Sequence, residues 1–250
     1  MDQRPIGVID SGIGGISILN EVAKYLPGEK FIYYADSIHN PYGNKTKEEL
    51  IEIMDQITKT LLKENVKLII IACNTASTQV ISYLREHYPS ILFVAVEPAI
   101  KVAFDHYADR NVLLMATPGT IKSDRLMELD EKYRQENRIL LPCANLAALI
   151  ENQELEKIPA YLQDLLKNID TRKIEVVVLG CTHYPFIKDE IEEAIGHTVT
   201  FIDGAAGVKK RVKFLLDKNN IKNLKRPKAE ISFILTDETK SSVIEKYLER

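Results

Sequence analysis

The sequence predicts an α/β fold: two pseudo-symmetric lobes, each a mostly parallel sheet flanked by helices, with the active site in the cleft between them. Three observations predict it. Short apolar runs rich in β-branched residues alternate with amphipathic helical stretches along the 250 residues. Several runs are apolar at nearly every position, as strands buried on both faces of a parallel sheet must be. The pattern also repeats loosely, with a cysteine at the same place in each half.

Strands are expected at residues 6–9, 31–35, 68–72, 92–96, 112–116, 138–141, 176–179, 199–202 and 231–235. Between them the clearest helix covers residues 47–64, where Leu50, Ile53, Met54, Ile57 and Leu61 follow helical spacing and form one sheet-facing stripe. A second covers 185–195, with Pro185 suited to the first turn and Gly196 to the stop. In the repeat, Ile6-Gly7-Val8-Ile9 runs into the polar turn Asp10-Ser11-Gly12, and Val112-Leu113-Leu114-Met115 runs towards Thr117-Pro118-Gly119-Thr120. Cys73 follows Asp10 by 63 residues (73 − 10), and Cys181 follows Thr117 by 64 (181 − 117). Two lobes of like topology account for this. The first is expected to hold residues 1–97 plus 204–250, because the C-terminal tail needs a sheet to join, and the second residues 98–203.

Composition narrows the function. With 45% apolar and 28% charged residues the chain is ordinary globular protein. The net charge of -3, from 33 basic and 36 acidic residues, gives no field for nucleic acid. The most basic stretch, Lys209-Lys210-Arg211 to Lys228, is diluted by apolar and acidic residues and reads as a solvated helix and loop. No apolar leader opens the sequence and no apolar run is long enough for a membrane span, so a cytoplasmic location is expected. The cysteines Cys73, Cys143 and Cys181 are odd in number and lack C-x-x-C spacing, which suits neither a disulfide framework nor a zinc site.

Cys73 and Cys181 carry the chemistry. Each lies just past the C-terminal end of an apolar strand, where open α/β sheets place ligands. Each precedes small polar residues that begin a helix, whose dipole is expected to favour the thiolate. A single cysteine here reads as a small buried hydrophobe; two in equivalent turns read as a pair. Cys143, after Pro142, lacks this setting and is expected to be structural. Two acid/base groups facing one carbon suit stereochemical inversion: one removes the Cα proton and the other returns a proton to the opposite face. Cysteine is mostly protonated near neutral pH, so each thiol needs a helper. Asp10, at the tip of the first strand, can serve Cys73, and His183 can serve Cys181. Taken singly, Asp10 reads equally well as a turn or N-cap residue and His183 as a loop histidine. His39, His87, His106 and His197 read as loop or helix-surface residues.

Asp10-Ser11-Gly12-Ile13-Gly14-Gly15 is a glycine-rich turn whose N–H groups could hold an anion. It departs from the dinucleotide fingerprint, and no Gly-Lys-Ser/Thr follows it, so a small carboxylate is favoured over a nucleotide. Asn40-Pro41-Tyr42-Gly43-Asn44 is a second tight turn whose backbone and Tyr42 hydroxyl could donate to a ligand; it reads equally as a surface turn.

At these residues the sequence resembles the glutamate racemases, which supply D-glutamate for peptidoglycan, cell-wall growth and cell shape. The resemblance covers nearly the whole chain and rests on four motifs in order: Asp10-Ser11-Gly12-Ile13-Gly14-Gly15, Pro41-Tyr42-Gly43, Ala72-Cys73-Asn74-Thr75-Ala76-Ser77 and Gly180-Cys181-Thr182-His183-Tyr184-Pro185. Aspartate and hydantoin racemases are similar around the cysteines, but the Asp-Ser-Gly opening sets the glutamate enzymes apart. The resemblance implies that Cys73 and Cys181 exchange the Cα proton, assisted by Asp10 and His183 respectively. It implies that Glu151, otherwise read as a helix-end charge, also supports the second thiol. It implies substrate contacts from Asp10, Ser11, Tyr42, Gly43, Asn74, Thr75, Thr182 and His183, with Thr117 and Thr120 as further candidates on the carboxylate side. Cys143-Ala144-Asn145-Leu146 departs from the Cys-Pro start seen in many members, and this falls just before Glu151. The resemblance implies no cofactor (no metal, pyridoxal phosphate or nucleotide), glutamate as the small-molecule partner, a homodimer, and neither membrane nor nucleic acid as partner. Other readings are a racemase of another amino acid or hydantoin, a one-thiol decarboxylase on the same scaffold, and a two-lobed binding protein for acidic metabolites.

Overall fold

A computed structural model describes residues 2–134, 136–223 and 228–248. Among the described residues nine strands form in chain order: β1 (Ile6–Asp10), β2 (Lys30–Ala35), β3 (Leu68–Ile71), β4 (Leu92–Ala95), β5 (Val112–Ala116), β6 (Arg138–Pro142), β7 (Val176–Gly180), β8 (Thr200–Ile202) and β9 (Glu230–Leu235). They build two wholly parallel sheets, ordered β4-β3-β1-β2-β9 and β6-β5-β7-β8. The run β4-β3-β1-β2 of the first sheet has its counterpart in β8-β7-β5-β6 of the second. The sequence repeat is thus a repeat of topology, and β9 is added beyond β2.

The α-helices among the described residues are α1 (Ile16–Tyr25), α2 (Lys47–Lys63), α3 (Asn74–His87), α4 (Ile100–Tyr107), α5 (Pro118–Ile121), α6 (Asp124–Lys132), α7 (Leu146–Glu151), α8 (Ile158–Leu166), α9 (Lys188–Ile195), α10 (Ala205–Lys218) and α11 (Ser241–Tyr247). Their start and stop signals are local. Thr46 and Glu49 close a capping box on α2, whose Leu50, Met54, Ile57 and Leu61 are buried. Gly196 ends α9 in the left-handed region at φ 92. The expected helix at 185–195 is split, because Pro185 falls in a 3-10 turn, Tyr184–Ile187, ahead of α9.

Each sheet is covered on both faces. β1 sends Ile6 and Val8 towards α1 and α10 and sends Ile9 towards α2 and α3. β5 sends Leu113 and Met115 towards α7, α8 and α9, and Val112 and Leu114 towards α4 and α6. This period-two division explains why these strands are apolar throughout. At the opposite end of the first sheet from the candidate site, buried Lys67 donates to Glu29 Oε2 at 2.7 Å and to the carbonyls of Asp2 and Ile221. Among the described residues no helix is long and apolar enough to cross a membrane.

Candidate active site

Parallel strands bring all their C-terminal ends to one rim, and the two rims face each other. β1 ends on Asp10, β3 leads through Ala72 to Cys73, β5 leads to Thr117, and β7 ends beside Cys181. A small, largely closed cavity lies between them. Cys73, Ser11, Tyr42, Gly43, Asn74 and Thr75 line it from the first sheet's side, and Cys181, Thr117, Thr182 and His183 from the second's. Both thiols are nearly closed off, at 6% and 7% exposure. Asp10, Thr120 and Glu151 stand behind this wall, each buried.

On the Cys181 side three groups stand in a row. His183 Nδ1 lies 3.8 Å from Cys181 Sγ, and Nε2 lies 2.8 Å from Glu151 Oε2. Burial works against a charge on His183, yet the bonds to Cys181 and Glu151 hold its pKa well above the ordinary imidazole value. Burial likewise opposes ionisation of Glu151, but His183 and the Ile13 N–H prevail and its pKa lies below the usual one. The two shifts agree on an imidazolium–carboxylate pair.

The Cys73 side is built differently. Cys73 is the N-cap residue of α3. The expected thiolate does not follow: burial, with the Asp10 charge beside it, pushes the thiol up to about 12, against weaker help from the Ala76 N–H and the Ser11 hydroxyl. Desolvation beats the helix terminus here. Asp10 is itself pushed up to about 6 by burial, opposed by the His183 charge and by bonds including that from the Thr182 hydroxyl. Its carboxylate accepts that hydroxyl at 3.1 Å and the Gly12 N–H at 3.2 Å. A buried carboxyl titrating near 6 beside a thiol is suited to moving a proton near neutral pH.

The sequence profile of the Asp/Glu/Hydantoin racemase family matches residues 21–209. The chain belongs to this racemase family. It is an enzyme of the glutamate racemase type within it. The glutamate racemase of Clostridium acetobutylicum is 43% identical over 235 residues, spanning 93% of this chain and 91% of that one. The glutamate racemase of Francisella tularensis, solved with D-glutamate, aligns at a TM-score of 0.84 and 31% identity over 100% of this chain and 95% of that one. The Escherichia coli enzyme, solved with L-glutamate and an activator, aligns at 0.81 and 28% over 98% and 95%.

Two expectations about the turns at this site need revision. The glycine-rich turn does hold carboxylates, but the protein's own: Ile13 N–H donates to Glu151 Oε2 at 2.9 Å and Gly12 N–H to Asp10. Glu151 does end a helix, α7, but it faces inward, 3% exposed. The Tyr42 hydroxyl is already given to Asp36 Oδ2 at 2.6 Å. Cys143 packs in the second sheet's core at 1% exposure and also borders the cavity, its thiol donating to the Leu141 carbonyl. Thr75, Thr117 and Thr120 meet in a triangle of hydroxyls 2.8–3.2 Å apart across the cleft. Asp36 and Ser37 were missed by the sequence reading. Asp36 had a usable signal, an acid directly after a buried strand beside β1; Ser37, which donates to Glu151 Oε1 at 3.1 Å, had none.

Proposed function

We propose that the chain interconverts L- and D-glutamate by a two-thiol, cofactor-independent proton exchange. The supporting observation is that two cysteines, from equivalent strand ends of two like sheets, face one cavity. One sulfur, as thiolate, takes the Cα proton and becomes a thiol. The other, as thiol, gives its proton to the opposite face of the carbanion and becomes a thiolate. The product is the enantiomer, and exchange with solvent resets the pair. Asp10 assists Cys73, while His183, held charged by Glu151, assists Cys181. The enantiomers bound by the Francisella and Escherichia enzymes point to the same substrate here.

On this reading Ser11, Asn74, Thr75, Thr182 and the Tyr42-Gly43 backbone contact substrate, with Thr117 and Thr120 on the carboxylate side. We assign residues 1–97 and 204–250 to one lobe and 98–203 to the other, a homodimeric assembly, a cytoplasmic location and a role in supplying D-glutamate for peptidoglycan.

The test is deuterium uptake at Cα in heavy water, with each glutamate enantiomer and no added cofactor. Wild type exchanges and racemises both. Cys73→Ser and Cys181→Ser each lose about 10²-fold or more in racemisation, the range for removing a general acid or base. Undiminished turnover in both variants would sink the mechanism. Parallel assays of aspartate and a 5-substituted hydantoin decide the substrate.

A further inference from the structure

The end of α7 is gripped almost wholly from outside its own sheet. Glu151 Oε2 accepts the Ile13 N–H, from the turn after β1, at 2.9 Å. Its other oxygen accepts the Ser37 hydroxyl, from the turn after β2, at 3.1 Å. The ammonium of Lys240, which follows β9, donates to the Glu151 carbonyl at 3.0 Å and to Asn152 Oδ1 at 3.3 Å. Lys246 on α11 reaches Gln153 Oε1 at 3.5 Å. Every donor belongs to segments attached to the first sheet, while Glu151 and His183 belong to the second. Without the first sheet, Glu151 keeps only His183.

We infer that Ser37 and Lys240 are positioning residues, which tie the seating of the first sheet against the second to the orientation of Glu151 and, through it, to the charge on His183. Neither touches Cys181. Ser37 fixes the carboxylate plane by holding the oxygen that His183 does not use. Lys240 draws down the C-terminal carbonyl of α7, where a cation is favoured by the helix dipole, and its charge favours the ionised Glu151. Parting the two sheets would break these bonds together, leaving Glu151 with His183 alone and opening the pair to water. The seating of the seam thus sets how firmly Glu151 is aimed at His183.

The charged and titratable groups facing this pair are Cys181 after β7, Asp10 on β1, Tyr33 on β2 and Lys240 after β9. None of the others is altered by changing Ser37, so a shift in His183 reports on Glu151.

The inference rests on the two-thiol reading for its catalytic meaning, and the experiment keeps the two apart. The full-length protein is titrated by NMR of its five histidine imidazoles, as wild type, Ser37→Ala, Ser37→Thr, Lys240→Gln and Lys240→Arg, beside kcat/KM profiles over the same pH range. In Ser37→Ala and Lys240→Gln, His183 should lose its proton about half to one pH unit lower. The alkaline fall in kcat/KM should move with it, while Ser37→Thr and Lys240→Arg recover most of the change. A merely structural role would lower stability without moving the titration. An unmoved His183 in both Ser37→Ala and Lys240→Gln overturns the inference. A moved His183 with an unmoved activity limb upholds the positioning and counts against the assigned role of His183 in turnover.

Discussion

Nε2 of His183 lies 2.8 Å from Oε2 of Glu151, and that same oxygen accepts the Ile13 N–H from across the cleft. One carboxylate oxygen thus joins the Cys181 row to the turn that opens beside Asp10. Thr182 makes the reciprocal crossing, its hydroxyl bonding Asp10 Oδ1. Asp10 is therefore held directly, and His183 through Glu151, by the other half of the molecule.

Removing the charge of Glu151 should destabilise the protein as well as slow it. Breaking one partner of a buried ion pair costs about 3–5 kcal/mol, so Glu151→Gln is expected to lose stability of that order at neutral pH. The sign of the pH dependence differs at the two ends. Glu151's pKa is depressed in the folded protein, so its share is present above the usual carboxylate range and lost as pH falls through the folded value. His183's is raised, so its share is present below about 6.5 and lost as pH rises through the folded value. Urea unfolding across pH should show the gap between wild type and variant widest between those limits, closing towards both.

Asp10 makes an opposite prediction. Its pKa is higher folded, about 6, than the 3.8 of a free carboxyl. The folded state therefore binds the extra proton between these values, and stability falls as pH rises through them. Relative to Asp10→Asn, wild type should lose up to about 3 kcal/mol between pH 3.8 and neutrality. The altered hydrogen bonding of the amide is independent of pH and cancels in the comparison. A difference in unfolding free energy that stays flat from acid to neutral pH would show that Asp10 ionises freely.

The sequence revealed the strands better than the row of Cys181, His183 and Glu151, for a physical reason. Residues such as Ile69-Ile70-Ile71 or Val176-Val177-Val178 are apolar on both faces because helices cover both, so the pattern is complete in four or five neighbours. The cysteine motifs were legible because strand end, thiol and helix start are contiguous. Glu151 was legible only by resemblance: its partners lie 32 residues ahead at His183 and 138 behind at Ile13. The helix start beside Cys73 is visible in the sequence, while the burial and the Asp10 charge that outweigh it arise only from the fold.

Thr58 offers a change that should leave chemistry untouched. It is fully buried on α2, and among the described residues its hydroxyl alone is a buried side-chain polar atom with no hydrogen-bond partner. An unsatisfied buried hydroxyl costs about 1–3 kcal/mol, and valine has nearly the same shape. Thr58→Val is expected to raise stability by about 1 kcal/mol, read as a higher melting temperature with kcat and KM unchanged.

Gly12 and Gly14 should prove intolerant of a single methyl group. A Cβ on Gly12 would stand 2.2 Å from Glu151 Oε2, and one on Gly14 would stand 2.4 Å from His183 Nδ1 and 2.5 Å from Thr182 Oγ1. The obstacle in each case is a hydrogen-bonded group of the Cys181 row, so it cannot yield as a free side-chain end would. Either the two sheets part or the pair rotates out of line with Cys181. Overpacking of this kind costs about 1–3 kcal/mol, which a protein of this size survives, so Gly12→Ala and Gly14→Ala should fold. Their racemisation should fall far more than their stability, by about 10²-fold, as expected when a reacting group is displaced by about 1 Å. Steady-state kinetics beside thermal unfolding separate the two effects, and near-normal activity in either variant would mean that the close approach of the turn to this row is not needed for turnover.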